Sequence, residues 1–226
     1  MFILLPPSEG KTDDPGEGQF RAAYPEYAHD AEPLLRRMKA LKADALPSYY
    51  GLRDPVSARS VHLANLKCLD AGMLPALQRY TGVVYQHLEY KTLRQKAAAR
   101  ERILVVSALF GLVQGGDGLP WYRAPMTPEA IRYWRPINAS RLETLAKGRP
   151  VVSLLPQAHA KAVAYQPLIN IDFRTAGGAK SAGHFGKAIK GKFVRFLIEN
   201  KVTRPEDFKH FNEDGYRFDG SNFVKA

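Results

Sequence analysis

Apolar residues follow two patterns along the chain: short, mainly apolar runs, and runs in which they recur every three to four positions. The short runs at 1–5, 103–107, 150–155 and 168–173 predict buried strands. The spaced runs predict helices, which lie at 32–42, 56–69, 74–88, 94–102, 128–134, 140–147 and 181–201. The segment 13–29 is rich in glycine, proline and acidic residues, which predicts an exposed, mobile loop. Strands interleaved with helices predict a mixed α/β (α+β) fold with a central mixed sheet and surrounding helices, as one compact domain over 1–226.

The segment 181–201 combines helical spacing of its apolar residues with a local net charge of +4. We expect a helix with one face in the core and a cationic face outside. Gly191 inside this helix costs about 1 kcal/mol relative to alanine, so it predicts the close approach of a neighbouring element or of a ligand backbone. The alternative is a solvated basic face on a helix that only packs. The basic residues of the segment are Lys187, Lys190, Lys192, Arg195 and Lys201.

A polar turn, residues 8–12, follows the first predicted strand. In α/β sheets ligands collect outside the carboxyl ends of strands. The turn ends in Gly-Lys-Thr, but no glycine stands five residues before Gly10, which excludes a Walker A motif. Ser8, Lys11 and Thr12 therefore remain as a lysine and two hydroxyls suited to one phosphate or carboxylate.

Two further stretches carry candidate phosphate contacts. Tyr122 and Arg123 lie on a loop after the 103–107 strand, where they predict either a nucleic-acid contact or an aromatic loop anchor. The segment 33–70 predicts a helix, a turn at Gly51 and a second helix. This order fits a helix-hairpin-helix-like element, which holds phosphate through backbone amides, or two helices that pack on the core. Its basic residues are Arg53, Arg59 and Lys67.

The charge distribution favours a polyanionic partner. The formal net charge is +11, with −5 on residues 1–32 and +16 on the rest. A single cysteine, Cys68, excludes an internal disulfide and favours a reducing cytoplasm. The sequence lacks a long apolar segment and a zinc-finger spacing, so we expect no membrane association, no metal and no cofactor.

Standard catalytic motifs are absent from the sequence. It contains no G-x-S-x-G, no H-E-x-x-H and no G-x-G-x-x-G that opens a βα unit. The chemistry candidates that remain are cationic, which favours binding over catalysis and leaves the catalytic residues unknown. The candidate phosphate contacts are Lys11, Arg53, Arg59, Lys67, Arg123, Lys187, Lys190, Lys192 and Arg195, and the candidate pocket residues are Ser8, Thr12 and Tyr122.

Several sequence blocks resemble the YaaA family of bacterial cytoplasmic proteins associated with peroxide stress. The blocks are PPSEGKT (6–12), YTGVVY (80–85), SALFG (107–111), YR (122–123), FGKA (185–188) continuing to Arg195, IEN (198–200) and GY (215–216). The resemblance implies a mixed α/β fold that binds DNA through a basic cleft and a helix-hairpin-helix element. It also implies a role in limiting damage from intracellular iron and peroxide.

Three hypotheses about function follow. The first is a monomeric, cytoplasmic protein that grips the phosphates of duplex or distorted DNA in a basic cleft. The second is an enzyme or sensor that acts on a nucleotide or another phosphorylated small molecule. The third is a protein that docks an acidic partner, in which the acidic segment 9–32 could lie over the basic cleft.

Overall fold

The fold is built on one mixed sheet, seen in a computed structural model that describes residues 1–181 and 183–225. The strands are β1 (Phe2–Leu5), β2 (Leu74–Pro75), β3 (Ile103–Ser107), β4 (Gly111–Gln114), β5 (Gly118–Leu119), β6 (Val151–Ser153), β7 (Ile169–Asn170), β8 (Phe173–Arg174), β9 (Tyr216–Phe218) and β10 (Phe223–Lys225). The sheet has the order β4-β3-β1-β6-β7, and β8, β10 and β9 form a second, small sheet.

Helices surround the main sheet. They are α1 (Phe20–Ala23), α2 (Pro25–Lys39), α3 (Leu46–Tyr50), α4 (Pro55–Lys67), α5 (Ala76–Arg79), α6 (Val83–Leu88), α7 (Lys96–Arg102), α8 (Pro128–Ala146), α9 (Gln157–Ala160) and α10 (Gly183–Glu199). Short 3-10 turns lie at Ala43–Ala45, Cys68–Asp70, Tyr90–Thr92 and Pro205–His210. The predicted mixed α/β class and the compact body are therefore confirmed.

Strand β1 occupies the centre of the sheet and runs parallel to both neighbours. Ile3 is paired with Ile103 on one side and with Val152 on the other. Strands β1, β3 and β6 are buried along their whole length, as unbroken apolar runs in a parallel sheet should be. Their carboxyl ends lie at one edge of the sheet, where the order reverses on either side of β1. Ligand sites of open α/β sheets form at such a point.

Helix α10 packs directly against α6. A Cβ atom on Gly191 would stand 2.3 Å from the carbonyl oxygen of Val84 and 2.8 Å from Cβ of His87. The two helix backbones can approach this closely only because Gly191 has no side chain. This confirms the close neighbour that the glycine predicted.

An aromatic cluster holds the carboxyl-terminal half of α10 on the small sheet. The ring of Phe193 lies 4.9 Å from Phe223 and 5.1 Å from Phe211, and Phe173 stacks on Phe223 at 5.0 Å. Aromatic pairs at such distances add about 0.5–1.5 kcal/mol each beyond their buried area. The cluster therefore fixes the helix whose first turns carry Lys187 and Lys190.

Two predictions about the helices are wrong. The helices expected at 128–134 and 140–147 are one continuous helix, α8, with Pro136 inside it. Trp134, Asn138 and Leu142 are fully buried on one face of α8, and this packing outweighs the cost of about 3 kcal/mol of an interior proline.

The second wrong prediction is the loop expected over 13–29. Helix α1 begins at Phe20 and α2 at Pro25, and the Phe20 ring packs 4.9 Å from Phe110. Acidic residues and glycines dominate the composition of this stretch. This composition favours a loop, so the apolar face of α2, which begins with the buried residues Ala28 and Ala31, was not predicted.

The segment 33–70 contains the short helix α3, a left-handed Gly51 (φ 62°) and helix α4. The Asp54 carboxylate accepts hydrogen bonds from the backbone amides of Val56 (3.2 Å) and Ser57 (2.8 Å). At the start of α4, the backbone amides that could donate hydrogen bonds to a phosphate therefore already donate to the Asp54 carboxylate. The helix-hairpin-helix assignment stays a prediction.

Within the described part of the chain, no helix is both long and apolar enough to cross a membrane.

Candidate functional site

A cleft of about 720 Å³ opens at the carboxyl ends of the central strands. Its walls come from the turn after β1 (residues 6–11), the first residues of α6 with Gly82, the loop 122–126, residues 154–159 after β6, and the first turns of α10. A Cβ atom on Gly82 would stand 2.1 Å from Oγ of Ser8, so a side chain here would displace that hydroxyl group. The cleft therefore forms where the topology of the sheet predicts a ligand site.

Lys11 lies on the floor of this cleft. Its Nζ atom donates a hydrogen bond to the Ser8 carbonyl oxygen (2.7 Å) and lies 4.5 Å above the centre of the Tyr122 ring. The Tyr80 ring centre is 5.3 Å from the same atom. Burial lowers the pKa of Lys11 to about 7, and the nearby Arg123 acts in the same direction against the opposing effect of Glu9.

A chain of hydroxyl groups runs beneath Lys11. Tyr80 and Tyr122 are joined by an O–O hydrogen bond of 2.7 Å, and Tyr122 and Ser107 by another of 2.7 Å. Ser107 Oγ also accepts the amides of Leu109 (3.2 Å) and Phe110 (3.0 Å). Because these amides fill both lone pairs of Oγ, Ser107 donates its proton to Tyr122, and either hydroxyl group can donate in the Tyr80–Tyr122 bond.

The buried tyrosines stay neutral at physiological pH. Burial raises the pKa of Tyr122 to about 12, although its hydrogen bonds to Ser107 and Tyr80 oppose the shift. Burial also raises the pKa of Tyr80 well above its usual value. The floor of the cleft therefore presents neutral aromatic faces to Lys11, and these attract its cationic form.

Arg123 is held in the cleft through its backbone. The side chain of Asn65, which is fully buried, accepts the Arg123 amide (2.9 Å) and donates to the Arg123 carbonyl oxygen (2.7 Å). The guanidinium group forms an ion pair with the exposed Glu9 at 3.1 Å. Helix α4 thus fixes the position of Arg123, while its only carboxylate neighbour among the described ion pairs is a side chain that can move into solvent.

Helix α10 contributes two lysines to the cleft. Lys187 is exposed, whereas Lys190 is half-buried and donates to the Leu154 carbonyl oxygen (3.0 Å) at the end of β6. Burial lowers the pKa of Lys190. The cationic face predicted for 181–201 therefore points partly into the cleft.

The other two basic residues of α10 make contacts within the fold. Lys192 forms an ion pair with Asp214 at 2.8 Å. Arg195 donates to the carbonyl oxygens of Leu88 (3.1 Å) and Glu89 (3.2 Å), the last ones of α6. A basic side chain at a helix C-terminus satisfies carbonyl groups that lack partners within the helix.

The remaining predicted residues do not line the cleft. Arg53, Arg59 and Lys67 are exposed, on the turn before α4 and on α4 itself. The backbone of Thr12 is bonded to Arg79, just beyond the cleft wall. The predicted residues that the structure does bring together in the cleft are Ser8, Lys11, Tyr122, Arg123, Lys187 and Lys190.

Several residues of the site carried no functional prediction. Tyr80 and Ser107 stand in sequence blocks that resemble the YaaA family, which is the signal that marks them. Arg79 is fully buried and donates to the carbonyl oxygens of Thr12, Asp14 and Leu119, so it anchors the end of the turn after β1. No sequence signal marked it, because a buried arginine looks like any surface arginine.

His159 lies on the short helix α9. It lines the cleft, and burial lowers its pKa to about 4, so the imidazole is neutral at pH 7. Its Nδ1 atom has no hydrogen-bond partner within residues 1–181 and 183–225.

Metal ligands do not cluster in the part of the chain that the structure describes: no group of three or more His, Cys, Asp or Glu side chains there could hold a metal ion.

The fold is that of a mixed α/β protein with a basic cleft at the strand ends, and sequence comparison shows its family. The model of the family described as peroxide stress protein YaaA matches residues 1–222. The chain therefore belongs to the YaaA family.

Relatives with similar sequences come from distant bacteria. A UPF0246 protein of Francisella tularensis subsp. novicida (strain U112) is 23% identical, with 96% of this chain and 94% of the relative aligned. A UPF0246 protein of Lactobacillus johnsonii is 24% identical, with 89% of this chain and 86% of the relative aligned. The similarity extends over nearly the whole of each chain.

Proposed function

We propose that the protein binds DNA in the peroxide stress response, by holding backbone phosphates in the cleft at the strand ends. The observation that carries the proposal is the convergence of four basic residues from three separate elements. These are Lys11 after β1, Arg123 in the loop held by Asn65, and Lys187 and Lys190 on α10. Membership of the peroxide stress family supplies the physiological setting.

The charges around the cleft support an anionic ligand. Lys187 has no ion-pair partner within residues 1–181 and 183–225, and Arg123 is paired only with the exposed Glu9. By contrast, the carboxylates Asp214 and Glu89 neutralise Lys192 and Arg195. The free cationic groups of α10 thus face the cleft, where a phosphate could replace Glu9 on Arg123.

Salt dependence tests the proposal. Each phosphate contact lowers log affinity by about 0.9 per unit of log salt concentration on duplex DNA. Fluorescence anisotropy with a labelled 20-base-pair duplex should therefore give a slope of about −2.7 if three contacts form. Arg123→Gln and Lys187→Gln should each reduce the slope by about 0.9, whereas Lys96→Gln on α7 should leave it unchanged. A flat response of the wild-type protein to salt would overturn the proposal.

A second candidate function is supported by the size of the cleft. Its volume of about 720 Å³ lies within the range of about 300–1,000 Å³ of small-molecule sites. Its tyrosine floor offers an apolar surface beside the cations, as a nucleotide site requires. Thermal-shift measurements with nucleotides should then show stabilisation that Lys11→Met removes. Stabilisation by none of the nucleotides would exclude this candidate.

A further inference from the structure

The geometry of the cleft floor points to a reactive amine. We propose that Lys11 forms a covalent imine with the aldehyde carbon of a phosphorylated sugar held in the cleft. The inference rests on the proposed function, because Arg123, Lys187 and Lys190 must first hold the phosphate of the ligand.

The surroundings of Lys11 differ from those of the lysines on α10. Lys192 is paired with a carboxylate at 2.8 Å and Lys187 is exposed in the cleft wall, whereas Lys11 lies on two aromatic rings. Within residues 1–181 and 183–225, no ion pair links Lys11 to a carboxylate. Glu9, the nearest acidic side chain in the turn, is paired with Arg123 instead.

This environment leaves a large fraction of the amine unprotonated. With its pKa lowered to about 7, about half of the Lys11 side chains carry a free lone pair at pH 7. A lysine with the usual pKa of about 10.4 has roughly one free amine in 2,500 at that pH. Only the unprotonated amine attacks a carbonyl carbon, so burial in the cleft makes Lys11 a better nucleophile than an exposed lysine.

The step balances without a further reactant. The Nζ lone pair attacks the aldehyde carbon, and a proton moves from nitrogen to the former carbonyl oxygen. The carbinolamine then loses that oxygen as water and forms the C=N bond. The protonated imine is a cation, and it would lie over the Tyr122 and Tyr80 rings, where the present ammonium group lies.

The position of the phosphate defines the ligand class. Arg123, Lys187 and Lys190 line the same cleft as Lys11, so the aldehyde must belong to a molecule whose phosphate reaches these cations. Two sources offer this chemistry. One is the ring-opened deoxyribose at a position in DNA that has lost its base, and the other is a free phosphorylated aldehyde such as glyceraldehyde 3-phosphate.

Borohydride reduction tests the inference, because hydride converts the imine to a stable secondary amine. The full-length protein is mixed with sodium borohydride and a labelled duplex that contains one abasic position, or with glyceraldehyde 3-phosphate. We expect a covalent adduct, seen as a shifted band or as a mass increase, with the modification mapped to Lys11 by peptide mass spectrometry. Lys11→Arg should abolish the adduct, and Lys96→Arg should retain it.

The outcomes separate the two sources and the two proposals. An adduct at Lys11 with the abasic duplex alone assigns the DNA source, and one with glyceraldehyde 3-phosphate alone assigns the free aldehyde. An adduct with neither probe, or one that maps to another lysine of the wild-type protein, overturns the inference. Anisotropy with an undamaged duplex is measured in parallel. Retained salt-dependent binding without an adduct would leave the proposed DNA binding intact and remove only the imine.

Discussion

The amide side chain of Asn65 connects helix α4 to the loop that carries Arg123 through two hydrogen bonds. Its removal tests whether these bonds position Arg123 in the cleft. Asn65→Leu keeps the approximate volume of the side chain and removes both polar atoms. The Arg123 amide loses its acceptor at 2.9 Å, and the Arg123 carbonyl oxygen loses its donor at 2.7 Å. Neither leucine methyl group can replace these bonds.

The structure gives the expected cost. A buried polar group that loses its partner costs about 1–3 kcal/mol, and in Asn65→Leu both the amide and the carbonyl group of Arg123 lose theirs. The Arg123 side chain is 25% exposed to solvent, so water can reach part of the loop and reduce this penalty. We therefore expect Asn65→Leu to lower the free energy of unfolding by about 2–4 kcal/mol. Arg123 should also lose its fixed position, so DNA affinity should fall to that of Arg123→Gln.

Asn138→Leu is the matched control. Asn138 is also fully buried, but its amide donates to the Ala162 carbonyl oxygen (3.0 Å) under α8, apart from the cleft wall. Urea denaturation should show destabilisation in both variants. Anisotropy at a temperature where both remain folded should show weaker DNA binding only for Asn65→Leu.

Two results would refute this reasoning. Wild-type affinity and salt slope in folded Asn65→Leu would mean that Asn65 does not position Arg123, or that Arg123 does not contact DNA. A second test is the double variant Asn65→Leu/Arg123→Gln. Residues that act through one contact are strongly coupled, so its affinity should match that of Arg123→Gln alone. Additive losses would contradict the proposed role of Asn65.

Three further predictions concern the same region. Glu9→Gln should raise DNA affinity about two- to fivefold, because an exposed ion pair with Arg123 is worth at most about 1 kcal/mol; anisotropy measures the gain, and Glu206→Gln should give none. Gly191→Ala should lower the free energy of unfolding by about 1–3 kcal/mol in urea denaturation, since its Cβ would overlap the Val84 carbonyl oxygen, and equal stability would contradict the close packing of α6 and α10. Burial lowers the pKa of Lys11 from 10.5 to about 7, so between these pH values the unfolded chain binds more protons than the folded protein. The free energy of unfolding should therefore rise with pH in this range, by at most about 1.4 kcal/mol per pH unit. Lys11→Met should flatten this rise, and an unchanged profile would show that Lys11 titrates normally.

The sequence predicted strands β1, β3 and β6 because they are short apolar runs. The single buried strand predicted at 168–173 is wrong: the segment forms two short strands, β7 and β8, which belong to different sheets, and strand β4 was not predicted. The predicted strands at 1–5 and 103–107 match β1 and β3 within one residue. Predictions failed where tertiary packing overrides a local signal. Pro136 suggested a break, but the buried face of α8 keeps the helix continuous, and the alanine-rich face of α2 was hidden within an acidic stretch.

The site could be predicted only in part. The turn after β1 and the basic helix were visible, because position at a strand end and local charge are properties of the sequence. The hydroxyl chain through Tyr80, Tyr122 and Ser107 joins three distant segments, and no local pattern encodes it. Likewise, nothing local distinguishes Lys190, which faces the cleft, from Lys192, which pairs with Asp214.

Hydrogen–deuterium exchange with and without duplex DNA tests the central claim, that phosphates bind in the cleft at the strand ends, most directly. The account predicts slower exchange on DNA binding in peptides that cover residues 6–12, 122–127 and 183–191. It predicts unchanged exchange in the outer turn and first residues of α4, 52–60, where Asp54 already occupies the backbone amides. Protection confined to residues 52–60, with none in the three cleft segments, would contradict the account.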